Sequence, residues 1–178
     1  MIGLAVGTTA LSVSARPPET EDQLVADLAS PKEPVVIHTL QTLEKQYPNS
    51  PNSVPKIKEL LTDQRPKVRE KAARVLGAVH ATVSAEDLKN ISAMLESSDW
   101  KEAQEALLAL RGLEAKSTIP KIIPLLKHSN SYVKRDACRT LAVLGDKSVV
   151  KDIEPLQSDP DPKVRTDAAN AIFTLQHK

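Results

Sequence analysis

Any chemistry in this chain would have to come from four histidines, one cysteine and scattered carboxylates. His38, His80, His128 and His177 stand far apart. No two share an i, i+4 face with a third ligand, so the spacing that gathers imidazoles around a metal is missing. They read as exposed helix-end residues. Cys138 falls in a repeat position otherwise held by Ala73, Leu107 and Ala169, which marks a buried, inert thiol. No serine or threonine sits in a nucleophile elbow, and no glycine-rich loop could cradle a phosphate. The carboxylates cluster on turns, where a solvated role is expected rather than paired acid–base work. The expectation is a protein with no catalytic residue, no metal and no cofactor.

Binding is the alternative, and two groups of residues suggest where it would occur. Trp100 occupies a first-turn position that Pro66, Ser131 and Pro162 fill elsewhere, and Tyr132 lies one position over in the next repeat. With His128 they would form a small aromatic edge, either capping the neighbouring repeat or anchoring a partner. Basic residues recur at the same helix starts: Lys67, Arg69 and Lys71, then Lys101, then Lys134 and Arg135, then Lys163 and Arg165. Stacked repeats would align them into a stripe. Asp63, Asp99, Asp159 and Asp161 adjoin it, however, and the 24 basic and 23 acidic residues leave a net charge of +1. Nucleic acid wants an unopposed run of positive charge, so a protein partner is the stronger expectation.

The elements that must position these residues repeat. Segments starting at Lys101, Tyr132 and Lys163 align without gaps at an offset of thirty-one, and one starting at Lys67 joins them at thirty-four. Their columns read Ala72, Ala106, Ala137, Ala168, then Leu76, Leu110, Leu141, Ile172, then Val79, Leu113, Leu144, Leu175. The spacing of four and then three puts each set on one helical face, with a small residue where two helices must approach closely. A second helix follows each first one, with Ile57, Leu88, Ile122 and Ile153 in its central column. Apolar residues make up 40% of the chain but aromatics only 2%, which suits a core of Leu, Ile, Val and Ala between packed helices.

Punctuation agrees with this reading. Five glycines against thirteen prolines favour many short helices with stiff turns. Thr20 with Gln23 and Ser84 with Asp87 predict capping boxes, and Pro66 and Pro162 lie just inside helix starts. Gly77 and Gly145 are expected in left-handed conformation at helix ends. Residues 46–53 predict a loop. Residues 1–15 resemble the apolar stretch of a secretory signal lacking its basic flank, which predicts export to the periplasm or outside the cell, a cytoplasmic location if the segment is no signal, and no stable membrane span in the mature chain. Residues 16–30 then form a linker and short helix, and residues 31–178 the repeat domain. Its units lie near 31–63, 64–97, 98–128 and 129–159, with a partial unit at 160–178.

The run D-x-K-V-R-x-x-A-A at Asp161 to Ala169 resembles the HEAT-repeat family, and is similar to the short bacterial units of phycobilisome-lyase proteins. Weaker versions begin at Lys67, Asp99 and Asn130. The resemblance implies an all-α, right-handed α-α superhelix of four to five hairpins whose second helices line the concave face. It also implies a ladder between turn residues Asp99, Asn130, Asp161 and helix residues Arg69, Lys134, Arg165, interrupted where Arg65 and Ala103 depart from the pattern. On the second helices, Lys56, Asp87, Lys121 and Asp152 alternate in sign, as a self-compensating ladder would. A non-enzymatic scaffold for a protein partner is the function this implies. The alternatives are a lyase-like accessory or chaperone for a tetrapyrrole-bearing partner, and a nucleic-acid binder using the basic edge.

Overall fold

The computed structural model describes residues 20–48 and 50–178, all helix and connecting turn. The expected signal segment at 1–15 and most of the linker lie outside the described residues. Ten α-helices run in order: α1 Glu21–Asp27, α2 Glu33–Gln46, α3 Ser53–Glu59, α4 Pro66–Ala78, α5 Ala85–Ala93, α6 Trp100–Gly112, α7 Ile119–Ile122, α8 Ser131–Leu144, α9 Val150–Ile153 and α10 Pro162–Gln176. Long helices α2, α4, α6, α8 and α10 alternate with short ones that end in 3-10 turns. In α7 and α9 the cause is local. Pro124 and Pro155 offer no N–H to the carbonyl four residues back, so the α-turn tightens into Ile123–Lys127 and Glu154–Ser158.

Both capping boxes form, at Thr20 and at Ser84. Pro66 and Pro162 open α4 and α10, where a missing N–H costs nothing. Asp99, Asn130 and Asp161 each accept the backbone N–H two residues on, at 2.8 to 3.0 Å. One further turn device recurs four times. Asp63, Ser97, His128 and Asp159 each accept the N–H of the residue two ahead, using a carboxylate, a hydroxyl, an imidazole Nδ1 and a carboxylate. His128 is thus turned into its own loop and adds nothing to the aromatic edge expected of it.

The helix-end glycines behave differently from expectation. No described glycine has positive φ; the left-handed residues are His80, φ 49°, and Glu114, φ 52°. Each follows a 6→1 bond characteristic of a helix stop, Ala81 to Leu76 and Ala115 to Leu110, both 3.0 Å. Gly145 ends α8 in extended backbone. Gly77 is helical, and small for another reason: a Cβ there would lie 2.6 Å from Cα of Ala109 on α6. A Cβ on Gly112 would lie 2.7 Å from the carbonyl carbon of Gly77. Helices α4 and α6 therefore touch backbone to backbone.

The core follows the columns. Ala72, Ala106, Ala137 and Ala168 are fully buried, as are Leu76, Leu110 and Leu141. Substituting Ala137→Leu puts three extra carbons into this contact and should destabilise by about 1–3 kcal/mol. Urea unfolding reads it as a lowered midpoint at constant m-value; an unchanged midpoint would mean the seam has slack.

Neighbouring long helices pack along their lengths, whereas the short helices meet one another sparsely. The long helices α2, α4, α6, α8 and α10 thus form the more continuous of the two layers. Among the described residues no helix is long and apolar enough to cross a membrane.

Candidate functional site

At the loop edge, Trp100 and Tyr132 come together. Their rings stack with centroids 5.6 Å apart and 20° between planes. Lys101 Nζ lies 5.7 Å from the Trp100 ring and the Arg135 guanidinium 6.0 Å from that of Tyr132. Tyr132 is 52% exposed, while Trp100 is half-buried against the core. The pair therefore joins two consecutive repeats and still offers one aromatic face to solvent.

The basic stripe comes apart on inspection of its members. Arg69 donates to the Glu102 carboxylate at 2.7 and 3.0 Å and to the carbonyls of Asp63 and Gln64. Lys134 is paired with Asp159. Arg165 donates to the carbonyls of Asp159 and Pro160, at 2.8 and 3.1 Å. Lys67 remains largely exposed, 3.9 Å from Glu33, and Lys101 and Lys163 are exposed. With Lys71 paired to Glu44 and Arg135 to Asp167, five of the eight expected members are spent holding turns and neighbouring helices.

The ladder also differs from the one implied by the family. The helix-start acids Asp99 and Asp161 cap their own helices, with Asp161 also meeting the Ser131 hydroxyl of the preceding unit, and further polar contacts between repeats run helix to helix. Arg74 meets Glu105, Gln104 meets Asp136, and Arg135 and Arg139 both meet Asp167. Arg65 does not interrupt the pattern silently: it pairs with Asp63 at 2.7 Å and reaches back to the carbonyls of Ser30 and Pro31. Nor are the acids simply solvated, since Glu102, Asp136 and Asp159 are buried. Between the short helices Asp87 pairs with Lys58, 3.5 Å away, and not with the expected column of lysines.

Titration follows these contacts. Burial opposes ionisation of Asp159, but Lys134 and the Asp161 N–H outweigh it and hold the carboxyl below the ordinary range. Asp63 is lowered chiefly by its hydrogen bond to Arg65. Glu70 goes the other way, raised first by burial and then by Asp99, Glu102 and Glu105, with Lys101 opposing. In acid, below the ordinary glutamate range, Glu70 is neutral folded or unfolded. Its ionisation costs stability only as pH rises through the raised folded value. Glu70→Gln should therefore stabilise at pH 7 by up to about 0.5 kcal/mol, small because solvent screens the site. The gain should vanish near pH 3; a gain equal at both pH values would sink the electrostatic account. Burial pushes the Cys138 thiol up to about 12, leaving it protonated at neutral pH.

A third feature escaped the sequence. The guanidinium of Arg111, in the last turn of α6, makes no hydrogen bond or ion pair, whereas those of Arg65, Arg69, Arg74, Arg135, Arg139 and Arg165 all do. It lines two open hollows on the long-helix layer, of about 470 and 390 Å³, lined also by Leu108, Ala142 and Val143. Val143 is 49% exposed. In the repeat, Arg111 takes the column of Gly77 and Ala142, so no demand of the fold placed an arginine there. That break in the column was the available signal. Nearby, Oε2 of Glu105 is buried without a hydrogen-bond partner. Among the described residues no group of His, Cys, Asp and Glu is placed to hold a metal ion.

Comparison with known proteins fits this geometry. The complex of CpcE and CpcF of phycocyanin lyase from Nostoc sp. PCC7120 superposes with a TM-score of 0.77 at 19% identity, over 98% of this chain and 71% of that one. An engineered protein gives 0.71 at 23% identity, covering 88% and 81%. A designed armadillo repeat protein in complex with the peptide (KR)4 gives 0.62 at 16%, covering 86% and 80%. At these identities the likeness is one of fold. No curated sequence matches the chain. A family model for HEAT repeats matches residues 21–110 and 88–172, most of the chain, which therefore belongs to the HEAT-repeat family.

Proposed function

We propose that the protein is a non-catalytic scaffold whose solenoid curves with α2, α4, α6, α8 and α10 on its concave face, and that it binds a protein partner along that face. The observation that carries this reading is the groove itself. Its floor is made of stacked helices already locked by buried alanines and ion pairs, and its surface exposes Val143 beside a half-buried Arg111. A preformed surface loses little conformational freedom on binding, which favours recognition. The Trp100–Tyr132 stack extends the usable surface to the loop edge, where an exposed aromatic ring is a common anchor.

Site-specific photo-crosslinking in the native cell tests this. A crosslinker at Leu108 in the groove should give a discrete protein adduct, and one at Lys121 on the outer layer should not. Equal labelling from both positions, or none from either, would remove the concave face as the binding surface. Trp100→Ala should reduce the adduct yield if the aromatic edge contributes.

A further inference from the structure

We infer that the concave groove takes an extended peptide segment that presents a carboxylate side chain to Arg111 and aliphatic side chains to Leu108 and Val143. This deepens the scaffold reading and rests on it. A guanidinium is a planar fork of five donors that matches a carboxylate in two parallel hydrogen bonds. The protein uses that fork internally at Arg65, which meets both oxygens of Asp63, and leaves it unused at Arg111. The last turn of a helix favours a cation there, but that attraction needs no hydrogen bond and leaves the fork free for a ligand.

The surroundings restrict what the ligand can be. Arg74 and Arg139 line the same hollows as Glu44, Glu114 and Asp167, and Glu44, Asp167 and both arginines are already paired. A polyanion such as nucleic acid therefore finds one unpaired cation and no net positive run to hold it. One carboxylate in an otherwise neutral or basic segment is matched by Arg111 alone. Leu108, Ala142 and Val143 give apolar contact on both sides of the arginine. The hollows are shallow and span several helices, which suits an extended chain better than a compact small molecule.

The test is selection of a random twelve-residue displayed peptide library on the immobilised full chain. Recovered peptides are then measured against wild type, Arg111→Gln and Arg111→Lys. The expected peptides carry Asp or Glu beside aliphatic residues, and Arg111→Gln weakens them about tenfold or more, as loss of a charge-assisted bond does. Arg111→Lys should recover only part of the loss, since it restores the charge and not the fork. Changing the peptide's acid to its amide should weaken wild type and leave Arg111→Gln unaffected. Peptides that bind without an acid, or ignore Arg111→Gln, overturn the inference and leave the scaffold reading standing. Recovery of no peptide at all removes both. Competition by a single-stranded oligonucleotide that outbinds every peptide overturns the choice of ligand. Circular dichroism of the variants separates lost binding from lost folding.

Discussion

Gly112→Ala should unfold the protein at markedly lower denaturant, although alanine is the better helix former. On propensity alone the change gains up to about 1 kcal/mol. At this position the added methyl meets the Gly77 carbonyl carbon at 2.7 Å and the Gly77 Cα at 3.1 Å. These are backbone atoms of a neighbouring helix, so no side-chain rotation relieves the clash. Helices α4 and α6 must separate, and the buried contacts of Ala73, Leu76, Ala106 and Ala109 loosen with them. We expect a net loss of roughly 2–3 kcal/mol, at the upper end of overpacking costs. Equilibrium urea unfolding with far-ultraviolet circular dichroism measures it. A variant as stable as wild type would show that the two helices are not in backbone contact.

The second large effect concerns Arg69 and Glu102. In the repeat column that holds Val68, Val133 and Val164, the third repeat carries Glu102. This glutamate is only 6% exposed. It accepts from Arg69 on one oxygen and from the Ser97 hydroxyl, 2.7 Å away, on the other. Arg69→Met strips one oxygen of its partner inside the stack and should cost about 2–3 kcal/mol. Arg69→Met combined with Glu102→Val returns the position to the valine of the other repeats and should recover most of that loss. A buried ion pair replaced by apolar residues of similar size is often neutral. If the double variant is instead as unstable as the sum of the single ones, the two side chains act independently and the pairing account fails.

Much of the fold was legible because repetition averages out local ambiguity. A single apolar spacing of four and three is weak, but Ala72, Ala106, Ala137 and Ala168 recurring in register with a second set of columns leaves few alternatives. Capping boxes at Thr20 and Ser84 were legible because their residues interact within one turn. The glycines were misread for the complementary reason. A glycine near a helix end suggests left-handed backbone, yet Gly77 is small because of Ala109, thirty-two residues away. The left-handed positions went to His80 and Glu114, which carry no such signal.

The candidate surface was read in part. Trp100 and Tyr132 stood out because the repeat placed them in adjoining columns, and their rings do stack. The basic stripe failed because columns report which residues align and not which carboxylates reach them from the next repeat. Glu102 consumes Arg69 by crossing between units, and Asp159 takes Lys134 from the far end of its own unit. Arg111 was overlooked because only the structure separates a free guanidinium from six engaged ones.

The backbone contact between α4 and α6 also sets the mechanics of the molecule. Where peptide groups already touch, that seam cannot be compressed, so bending further toward the concave side meets a hard stop. Flattening meets no such barrier, because it draws those groups apart. The solenoid therefore behaves at this point as a one-way hinge. A bulky ligand can be admitted by unbending, but a slender one cannot be gripped by closing at this seam, and must match the groove as it stands.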